Sequence, residues 1–453
     1  MSEGLRERKK VFLTHVDNDH NSGDQQLVGK RAASPRLFRI LVVVPVLAIV
    51  ALWIVTFNYF ERVRVKNALN ACSWETWEGW EGEQANTRPH RLAILADPQL
   101  VDDHTYPHLP KIIDKILRKL GDNYLHYNYK YLQSELQPDS TLFIGDLFDG
   151  GRDWDDQPWI EEFERFNRIF PQYAGHRSFR GLPGNHDIGF QNISVATRKR
   201  FAAHFGELND FYVLGNHTFL QFDTISYSHE DPEVHTESRE YVEAIKSAID
   251  PLLPKIMLTH VPLFRDPKVE TCGPGRESQK LFPLMRGVQY QTVIDYWVTD
   301  KLLHEFDPLI VFSGDDHDYC DMTHLDYDDQ SKYLAREISC KTPSMTNGIR
   351  FPAYQLLSLN NPVLNEAGTN AFEKTYETKM CYLPTPYVNV KVYAFGYIAT
   401  CILWWLLVFR SASGTQSVSP GASRKPADYI SFSFQCIVIL GFILYLLSLY
   451  VDM

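Results

Sequence analysis

Three uncharged apolar runs constrain this chain more than any other feature of its sequence. They cover residues 40–57, 393–409 and 429–451. Each is close to the length that a helix needs to cross the hydrocarbon core of a bilayer. Buried core helices are the alternative interpretation of such runs. We expect transmembrane helices at residues 37–60, 391–409 and 429–451.

Basic residues next to these runs predict how the chain is oriented. The segment 410–428 carries Arg410, Arg424 and Lys425, which favours a cytosolic loop. With three spans, residues 61–390 then lie on the opposite, lumenal side. Residues 1–36 are polar and lack a periodic apolar pattern, so we expect a disordered cytosolic tail there.

Sequons and cysteines agree with a lumenal location for residues 61–390. Two glycosylation acceptor sequons fall inside this segment, at Asn192 and Asn216. Five of the seven cysteines also lie there, and disulfides are allowed in that compartment. They are Cys72, Cys272, Cys320, Cys340 and Cys381. A bridge between Cys320 and Cys340 is one pairing that we consider.

Charge and local pattern indicate the class of the lumenal part. The chain has a net charge of −11, which argues against a nucleic-acid partner, because phosphate backbones require a basic surface. Short apolar runs at 91–97, 141–146, 255–260 and 308–315 alternate with stretches of helical pattern. This alternation predicts an α/β sandwich at residues 91–365. We expect linkers at residues 61–90 and 366–390. The tryptophans of the first linker, Trp74, Trp77 and Trp80, lie either at the membrane interface or against the domain.

Each predicted strand is followed by residues of metal-ligand type. In chain order these are Asp97-Pro98-Gln99, Gly145-Asp146-Leu147-Phe148-Asp149, Gly184-Asn185-His186-Asp187, His260 and Gly314-Asp315-Asp316-His317. Taken singly, each is as easily a turn, a helix cap or a hydrogen-bonded histidine. Ligands collect at the carboxyl ends of strands in α/β folds, so the whole set predicts one metal site.

The five segments together resemble the calcineurin-like metallophosphoesterases, whose motifs run D-x-H, G-D-x-x-D, G-N-H-D/E, H and G-H-x-H. The resemblance implies two mixed β-sheets flanked by helices. Gln99 and Asp315 stand where that family has histidines. The same departures resemble the fungal branch of a membrane-bound subfamily. That subfamily removes ethanolamine phosphate from mannose on glycosylphosphatidylinositol (GPI) anchors in the endoplasmic reticulum.

The resemblance also implies roles for individual residues. One divalent ion would be held by Asp97, Gln99, Asp146 and His317. A second would be held by Asp146, Asn185, His260 and Asp315. Asp146 would bridge the two ions, and a shared anion lowers their mutual repulsion. His186 would face the leaving oxygen as a catalytic acid, and Asp187 would orient His186.

The two departures predict the identity of the metal. Each exchanges an imidazole for an oxygen ligand, and oxygen-rich sites favour Mn²⁺ or Mg²⁺ over Zn²⁺. We therefore favour two manganese ions. The opposite interpretation is that the loss of two histidines weakens metal binding and leaves a pseudoenzyme.

Other candidate residues follow the second motif. Arg152 is either a phosphate contact or a surface residue. An ethanolamine ammonium group could be held by acidic and aromatic side chains of this region, or the region is a solvated loop. The residues in question are Asp149, Trp154, Asp155, Asp156 and Trp159. The histidines outside the motifs are expected at the surface, at positions 104, 108, 126, 176, 204, 217, 229, 235, 304 and 324.

The expected function is therefore a phosphodiesterase in the endoplasmic reticulum membrane, with several spans and a lumenal catalytic domain. Its substrates would be GPI glycolipid or GPI-anchored proteins, with the second mannose favoured over the first. It would support export of these proteins together with cargo receptors. One alternative is a non-catalytic lumenal receptor for GPI-anchored cargo. Another is a phosphoesterase of a different lumenal phosphodiester.

Overall fold

The computed structural model describes residues 35–329, 331–362, 373–413 and 426–451. Apart from short gaps in the expected domain at 91–365, three of the expected segments fall partly outside these ranges. They are the tail at 1–36, the linker at 366–390 and the loop at 410–428.

Eleven α-helices and eleven strands make up the described part of the chain. The helices are α1 Pro35–Asn58, α2 Arg64–Asn70, α3 Lys111–Tyr131, α4 Asp156–Ile169, α5 Asn185–Ile188, α6 Val195–Phe205, α7 Thr224–Ser228, α8 Pro232–Ile245, α9 Tyr296–Phe306, α10 Pro386–Ser413 and α11 Pro426–Val451. The strands are β1 His90–Leu95, β2 Ser140–Ile144, β3 Arg177–Leu182, β4 Asp210–Leu214, β5 His217–Gln221, β6 Lys255–Leu258, β7 Ile310–Ser313, β8 Cys320–Leu325, β9 Tyr333–Ser339, β10 Ala353–Leu359 and β11 Tyr376–Tyr382.

The strands form two mixed sheets, as the α/β expectation required. The first sheet has the order β11-β10-β1-β2-β3, and the second has the order β4-β5-β6-β7-β9-β8. Strands β1, β2 and β3 are parallel to one another, and so are β5, β6, β7 and β9. Their carboxyl ends carry the motif loops. The expected sandwich of two mixed sheets flanked by helices is confirmed.

Apolar side chains on both faces of the strands bury each sheet between two cores. In β1, Leu92 and Ile94 belong to the core between the two sheets, where they join Ile256 of β6. Ala93 and Leu95 face the opposite way and belong to a second core with the flanking helices. Successive side chains of a strand point to opposite faces, so a strand covered on both sides has an almost continuous apolar sequence.

Three helices are long and apolar enough to cross a membrane, judged by length and composition. They are Val43–Asn70, Pro386–Leu407 and Ser431–Ser448. The first helix does not end with its apolar run. It continues from α1 through a π-helical turn, Tyr59–Val63, into α2. The three helices meet in a cluster that includes Trp53, Phe57, Leu446 and Leu447.

Residues 61–90, expected to form a linker, are packed against the domain. A disulfide joins Cys72 to Cys381 at the end of β11. Trp74 is buried, and its indole nitrogen donates to the Leu136 carbonyl at 2.7 Å. Trp80 donates to the Ser358 hydroxyl at 3.2 Å. Of the two positions considered for these tryptophans, the structure has them against the domain.

Two expectations about cysteine and histidine are wrong. Cys320 forms a disulfide with Cys272, and Cys340 is a buried free thiol. His217 and His324 are buried rather than at the surface. Each of the two histidines has hydrogen-bond partners inside the fold, which allows burial.

Candidate metal centre

The motif loops share an unusual backbone conformation. Among the described residues, eight other than glycine have a positive φ, and five of these are expected metal ligands. They are Asp97, Gln99, Asp146, Asp315 and His317. A non-glycine residue in the left-handed region costs energy and persists only where the surroundings enforce it. Such strain marks the strand-end loops as a functional site.

Two glycines allow the loops to approach one another. Gly145 has a φ of +94°, and a Cβ there would lie 2.2 Å from Nδ1 of His260. A Cβ on Gly184 would lie 2.0 Å from Oδ1 of Asp146. Any larger residue would therefore push the ligand side chains apart. The glycines of the G-D and G-N-H-D segments thus have a steric role.

Three expected ligands form the centre of the site. One potential ligand atom from each of Asp97, Asp146 and His260 lies within 4.8 Å of the others, and all three residues are buried. Nε2 of His260 is 3.3 Å from Oδ1 of Asp146 and 3.8 Å from Oδ1 of Asp315. The carboxyl end of β1, the loop after β2 and the loops after β6 and β7 therefore converge as the sequence predicted.

Potential ligand atoms without hydrogen-bond partners show that this cluster fits divalent ions. Oδ2 of Asp97, Oδ1 of Asn185 and Nε2 of His260 are buried without a hydrogen-bond partner. Each has its other polar atom engaged: Nδ1 of His260 donates to the Ile144 carbonyl at 2.9 Å, and Nδ2 of Asn185 donates to the Gln289 carbonyl at 2.9 Å. A ligating histidine normally anchors its second nitrogen in this way.

Electrostatics of the cluster point in the same direction. Burial raises the pKa of Asp97 well above its ordinary value, and repulsion from Asp146 and Asp315 adds to this effect. Burial followed by the charge of Asp146 raises the pKa of Asp315 to about 7. Burial alone would lower the pKa of His260, but the surrounding carboxylates raise it well above its ordinary value. The carboxylates need cations, and a metal ion would replace the proton on His260.

Gln99 and His317 complete the expected set at the edge of this cluster. The backbone nitrogen of Gln99 donates to the Asp146 carbonyl at 2.9 Å, and its Nε2 donates to Oδ1 of Asp149 at 3.2 Å. The amide oxygen of Gln99 is thereby left to act as a ligand. Burial lowers the pKa of His317 to about 4, and Asp146 and His260 both act on it electrostatically.

His186 is held by a different carboxylate from the one expected. Its Nδ1 donates to the Asp149 carbonyl at 2.6 Å and lies 3.2 Å from Oδ1 of Asp149. Burial lowers the pKa of His186, but Asp146 and Asp149 outweigh burial and raise it to about 9. The carboxylates around His186 therefore favour the protonated imidazole.

Asp187, which we expected to orient His186, supports the backbone instead. Its carboxylate accepts from the backbone nitrogens of Leu147 and Phe148, each at 3.0 Å, and of Gly184 at 2.8 Å. The bonds from Leu147 and Phe148 tie the loop after β2 to the loop after β3, and the bond from Gly184 closes the turn within the second loop. The expected contact with His186 fails because the Asp187 side chain points back into the turn that starts at Gly184.

Arg152 lies beside His186 rather than on the open surface. Its backbone nitrogen donates to the His186 carbonyl at 2.9 Å, and Nη1 donates to the Asn185 carbonyl at 3.0 Å. Its Nε is buried without a hydrogen-bond partner. Arg152 therefore fixes the peptide that carries a metal ligand and the candidate acid.

The candidates for holding an ammonium group do not form an open aromatic pocket. Trp159 is fully buried, and the His104 ring stacks on Trp154 with centroids 4.3 Å apart. Asp155 is the residue before α4, and Asp156 pairs with Arg200 at 3.1 Å. Only Asp149 of this group lies in the metal centre, where it contacts Gln99 and His186.

The two sequon asparagines lie at exposed positions away from these contacts. Asn192 is exposed in the loop before α6. Asn216 is exposed in the β4–β5 hairpin, and its amide nitrogen donates to the Asn361 carbonyl at 2.7 Å.

Asp149 is the functional residue whose role sequence reasoning missed. The G-D-x-x-D motif could have indicated this role, because its spacing brings the Asp149 side chain close to Asp146. Thr342 and Asn347 were also missed; both donate to the Asp97 carbonyl, at 2.6 and 3.1 Å. No strand-end motif marks them.

Comparison with known proteins agrees with this geometry. The family model for the calcineurin-like phosphoesterases matches residues 90–319. Cell division control protein 1 of Saccharomyces cerevisiae is 44% identical over 351 residues, covering 76% of this chain and 70% of that protein. Metallophosphoesterase 1 of Xenopus laevis is 24% identical over 389 residues, covering 78% and 87%. The Metallophosphoesterase 1 homolog of Caenorhabditis elegans is 27% identical over 306 residues, covering 67% and 78%.

The family's divalent-metal chemistry matches the buried cluster of Asp97, Asp146 and His260. The family model spans about half of the chain, and the yeast relative is similar over most of both sequences. The chain therefore belongs to the calcineurin-like phosphoesterase family and is a metal-dependent hydrolase of phosphoric ester bonds.

Proposed function

We propose that this hydrolase removes ethanolamine phosphate from a mannose of GPI anchors, with the second mannose favoured over the first. It acts in the endoplasmic reticulum membrane with its catalytic domain in the lumen. Its substrates are GPI-anchored proteins or the free GPI glycolipid. Removal of the side group supports export, and cargo receptors for export are the expected partners.

The observation that carries the hydrolytic part is the set of unpartnered buried donors. Asp97 and His260 form one buried cluster with Asp146, and each of them has an unpartnered atom; Oδ1 of Asn185 is also buried and unpartnered. Gln99, Asp315 and His317 border it. Two divalent ions held by these seven residues would neutralise the phosphate oxygens and activate the attacking water. Five of the seven ligands are oxygen donors, which supports Mn²⁺ as the preferred ion.

The side chains around the cluster supply the remaining chemistry. Nδ1 of His186 is engaged by Asp149, so Nε2 is the atom that can transfer a proton. That proton goes to the mannose oxygen as its bond to phosphorus breaks, while water adds a hydroxyl group to phosphorus and its released proton restores the proton on His186. Arg152 keeps the backbone beneath His186 in place. The products are ethanolamine phosphate and a free mannose hydroxyl.

The membrane helices support a lipid-linked substrate. An enzyme and a substrate that share one membrane meet in two dimensions, so a weak pocket for the ethanolamine group suffices. This agrees with the absence of an open aromatic pocket around Trp154 and Trp159 in the described residues. Recognition of the substrate then depends on contacts with its phosphodiester group and on the confinement of enzyme and substrate to one membrane.

Mass spectrometry of GPI glycans tests the proposal. Cells that lack this protein would receive the wild type, Asp146→Asn, or Glu164→Gln as a matched change at an exposed site. We expect ethanolamine phosphate to be retained only with Asp146→Asn, and fragmentation to assign the mannose.

Two results would overturn the proposal. Identical glycans in all three cell lines, with normal export in the Asp146→Asn cells, would favour a receptor for GPI-anchored cargo. Identical glycans together with an accumulated phosphodiester of another kind would favour a different lumenal substrate.

A further inference from the structure

The first three turns of α3 carry an unusual exposed surface. Ile112 is 71% exposed and Ile113 is 44% exposed, although α3 belongs to the folded domain. Leu109, just before the helix, is 37% exposed. Isolated apolar residues at a surface need no explanation, but a contiguous row of them indicates a contact.

Helical periodicity separates this surface into two adjacent rows. Residues four positions apart lie next to one another on a helix. The apolar row contains Ile112, Ile116 and Leu120, with Ile113 beside it. The neighbouring row contains Lys111, Lys115 and Lys119. Asp114, on the opposite face of the helix, is buried and faces the domain. A basic row beside an apolar row is the pattern of helices that lie in a membrane interface.

The apolar row leads directly to the membrane-spanning helices. Leu120 packs against the cluster that contains Trp53, Phe57 and Leu446. One turn further, Nδ2 of Asn123 donates to Oε2 of Glu61 at 2.7 Å. Glu61 is the first charged residue after the apolar run of α1. Leu120 therefore lies where the apolar part of the bundle ends.

The loop before α3 connects this surface to the metal centre. This loop contains Thr105, whose hydroxyl donates to the Asp149 carboxylate. Asp149 in turn contacts His186 in the metal centre. The loop that leads into α3 therefore borders the metal centre.

From these contacts we infer that residues 109–120 lie on the bilayer as an interfacial helix. The isoleucines enter the boundary between headgroups and acyl chains, and Lys111 and Lys115 contact anionic headgroups. The surface is continuous with the spanning helices and has the complementary charge for such lipids. The interfacial helix holds the metal centre at the level of the headgroups. This inference goes beyond the proposed function, because it is the same for any lipid-linked phosphodiester.

Spin-label accessibility in liposomes tests the inference on the full chain. Cys401 and Cys436 would be replaced by serine, which leaves buried Cys340 as the remaining free thiol. A nitroxide would then be placed singly at positions 112, 113 and 116. The matched control is position 213, where Val213 is 48% exposed on the outer strand β4. Liposomes would contain phosphatidylcholine with or without an anionic phospholipid.

We expect the labels at 112, 113 and 116 to be broadened by oxygen and protected from a water-soluble nickel chelate. The label at 213 should be less broadened by oxygen and accessible to the nickel chelate. Lys111→Gln with Lys115→Gln should remove the added protection that anionic lipid gives. Hydrolysis of a soluble phosphodiester by each labelled chain shows that it is folded.

Exposure of residue 112 to the nickel chelate, equal to that of residue 213, would overturn the inference. Protection of residue 112 from both oxygen and nickel would also overturn it, because a second protein surface would then cover the helix. Neither result depends on whether GPI is the substrate.

Discussion

Two buried charged clusters border the end of β7, and they differ in how their charges are balanced. We call the one around Arg265 the arginine cluster; it comprises Arg265, Ser313, His324 and Glu337. Glu337 lies 2.6 Å from Nη2 of Arg265 and 2.6 Å from Nε2 of His324. Burial would raise the pKa of Glu337, but Arg265 and His324 lower it to about 2.

The metal centre has the opposite balance. Its carboxylates, Asp97, Asp146 and Asp315, face one another around His260, and several donor atoms have no partner. Ser313 of the arginine cluster is only two residues before Asp315. The comparison teaches that burial of charge alone does not identify a catalytic site. The metal centre differs from the arginine cluster because its buried carboxylates need a counter-ion that no side chain supplies.

Loss of the bridging carboxylate should have the largest effect. Asp146→Asn should lower hydrolysis of bis(p-nitrophenyl) phosphate by on the order of 10³-fold, because several kcal/mol of metal-dependent stabilisation is lost. The chain should stay folded, since the change relieves repulsion with Asp97 and Asp315. Steady-state kinetics and circular dichroism measure the two effects. Activity within tenfold of wild type would contradict the assignment.

The arginine cluster should show the reverse behaviour. Glu337→Gln leaves the buried Arg265 guanidinium without its counter-ion, which should reduce the free energy of unfolding by about 3–5 kcal/mol. Activity per folded molecule should stay close to that of the wild type. Chemical denaturation is the measurement, with Glu164→Gln as the exposed control. Unchanged stability would mean that Arg265 is already paired elsewhere.

Metal binding should stabilise only chains with an intact centre. At a free Mn²⁺ concentration of about 100 times the dissociation constant, unfolding should cost about 2.7 kcal/mol more than in chelator. The stabilisation should persist in Glu337→Gln and disappear in Asp146→Asn. Thermal unfolding with and without Mn²⁺ measures it. An equal shift in Asp146→Asn would place the ion outside the centre.

Asp149 should have a smaller effect that depends on the leaving group. Asp149→Asn should slow hydrolysis of an alkyl phosphodiester by roughly 10–100-fold, because His186 loses the carboxylate charge 3.2 Å from its Nδ1, although its bond to the Asp149 backbone carbonyl remains. Release of p-nitrophenolate needs little protonation, so that reaction should be nearly unaffected. Comparing kcat for both substrates separates orientation of His186 from a general structural defect. An equal loss for both would contradict the orienting role.

The sequence was sufficient for the fold class and for the convergence of three of the expected ligands. Parallel strands have continuous apolar sequences, and each was followed by a polar residue at its carboxyl end. Asp97, Asp146 and His260 therefore met as predicted, since neighbouring parallel strands end at the same edge of a sheet.

Contacts between distant segments could not be predicted in this way. Cys272 is nearly 50 residues from Cys320, and only the folded loop brings them together. His186 contacts Asp149 and not Asp187, because a tight turn directs the Asp187 carboxylate toward backbone nitrogens. Asp187 directly follows His186 in the chain and Asp149 belongs to the preceding motif, so sequence proximity favoured the wrong carboxylate.

Elemental analysis of metal content tests the central claim most directly. Wild type, Glu337→Gln and Asp146→Asn would be purified from cells grown with Mn²⁺, dialysed without chelator and measured for bound metal. We predict two divalent ions per chain in the wild type and in Glu337→Gln, and a marked loss in Asp146→Asn. Equal metal content in wild type and Asp146→Asn, or none in the wild type, would contradict the claim that these strand-end loops form a metal centre.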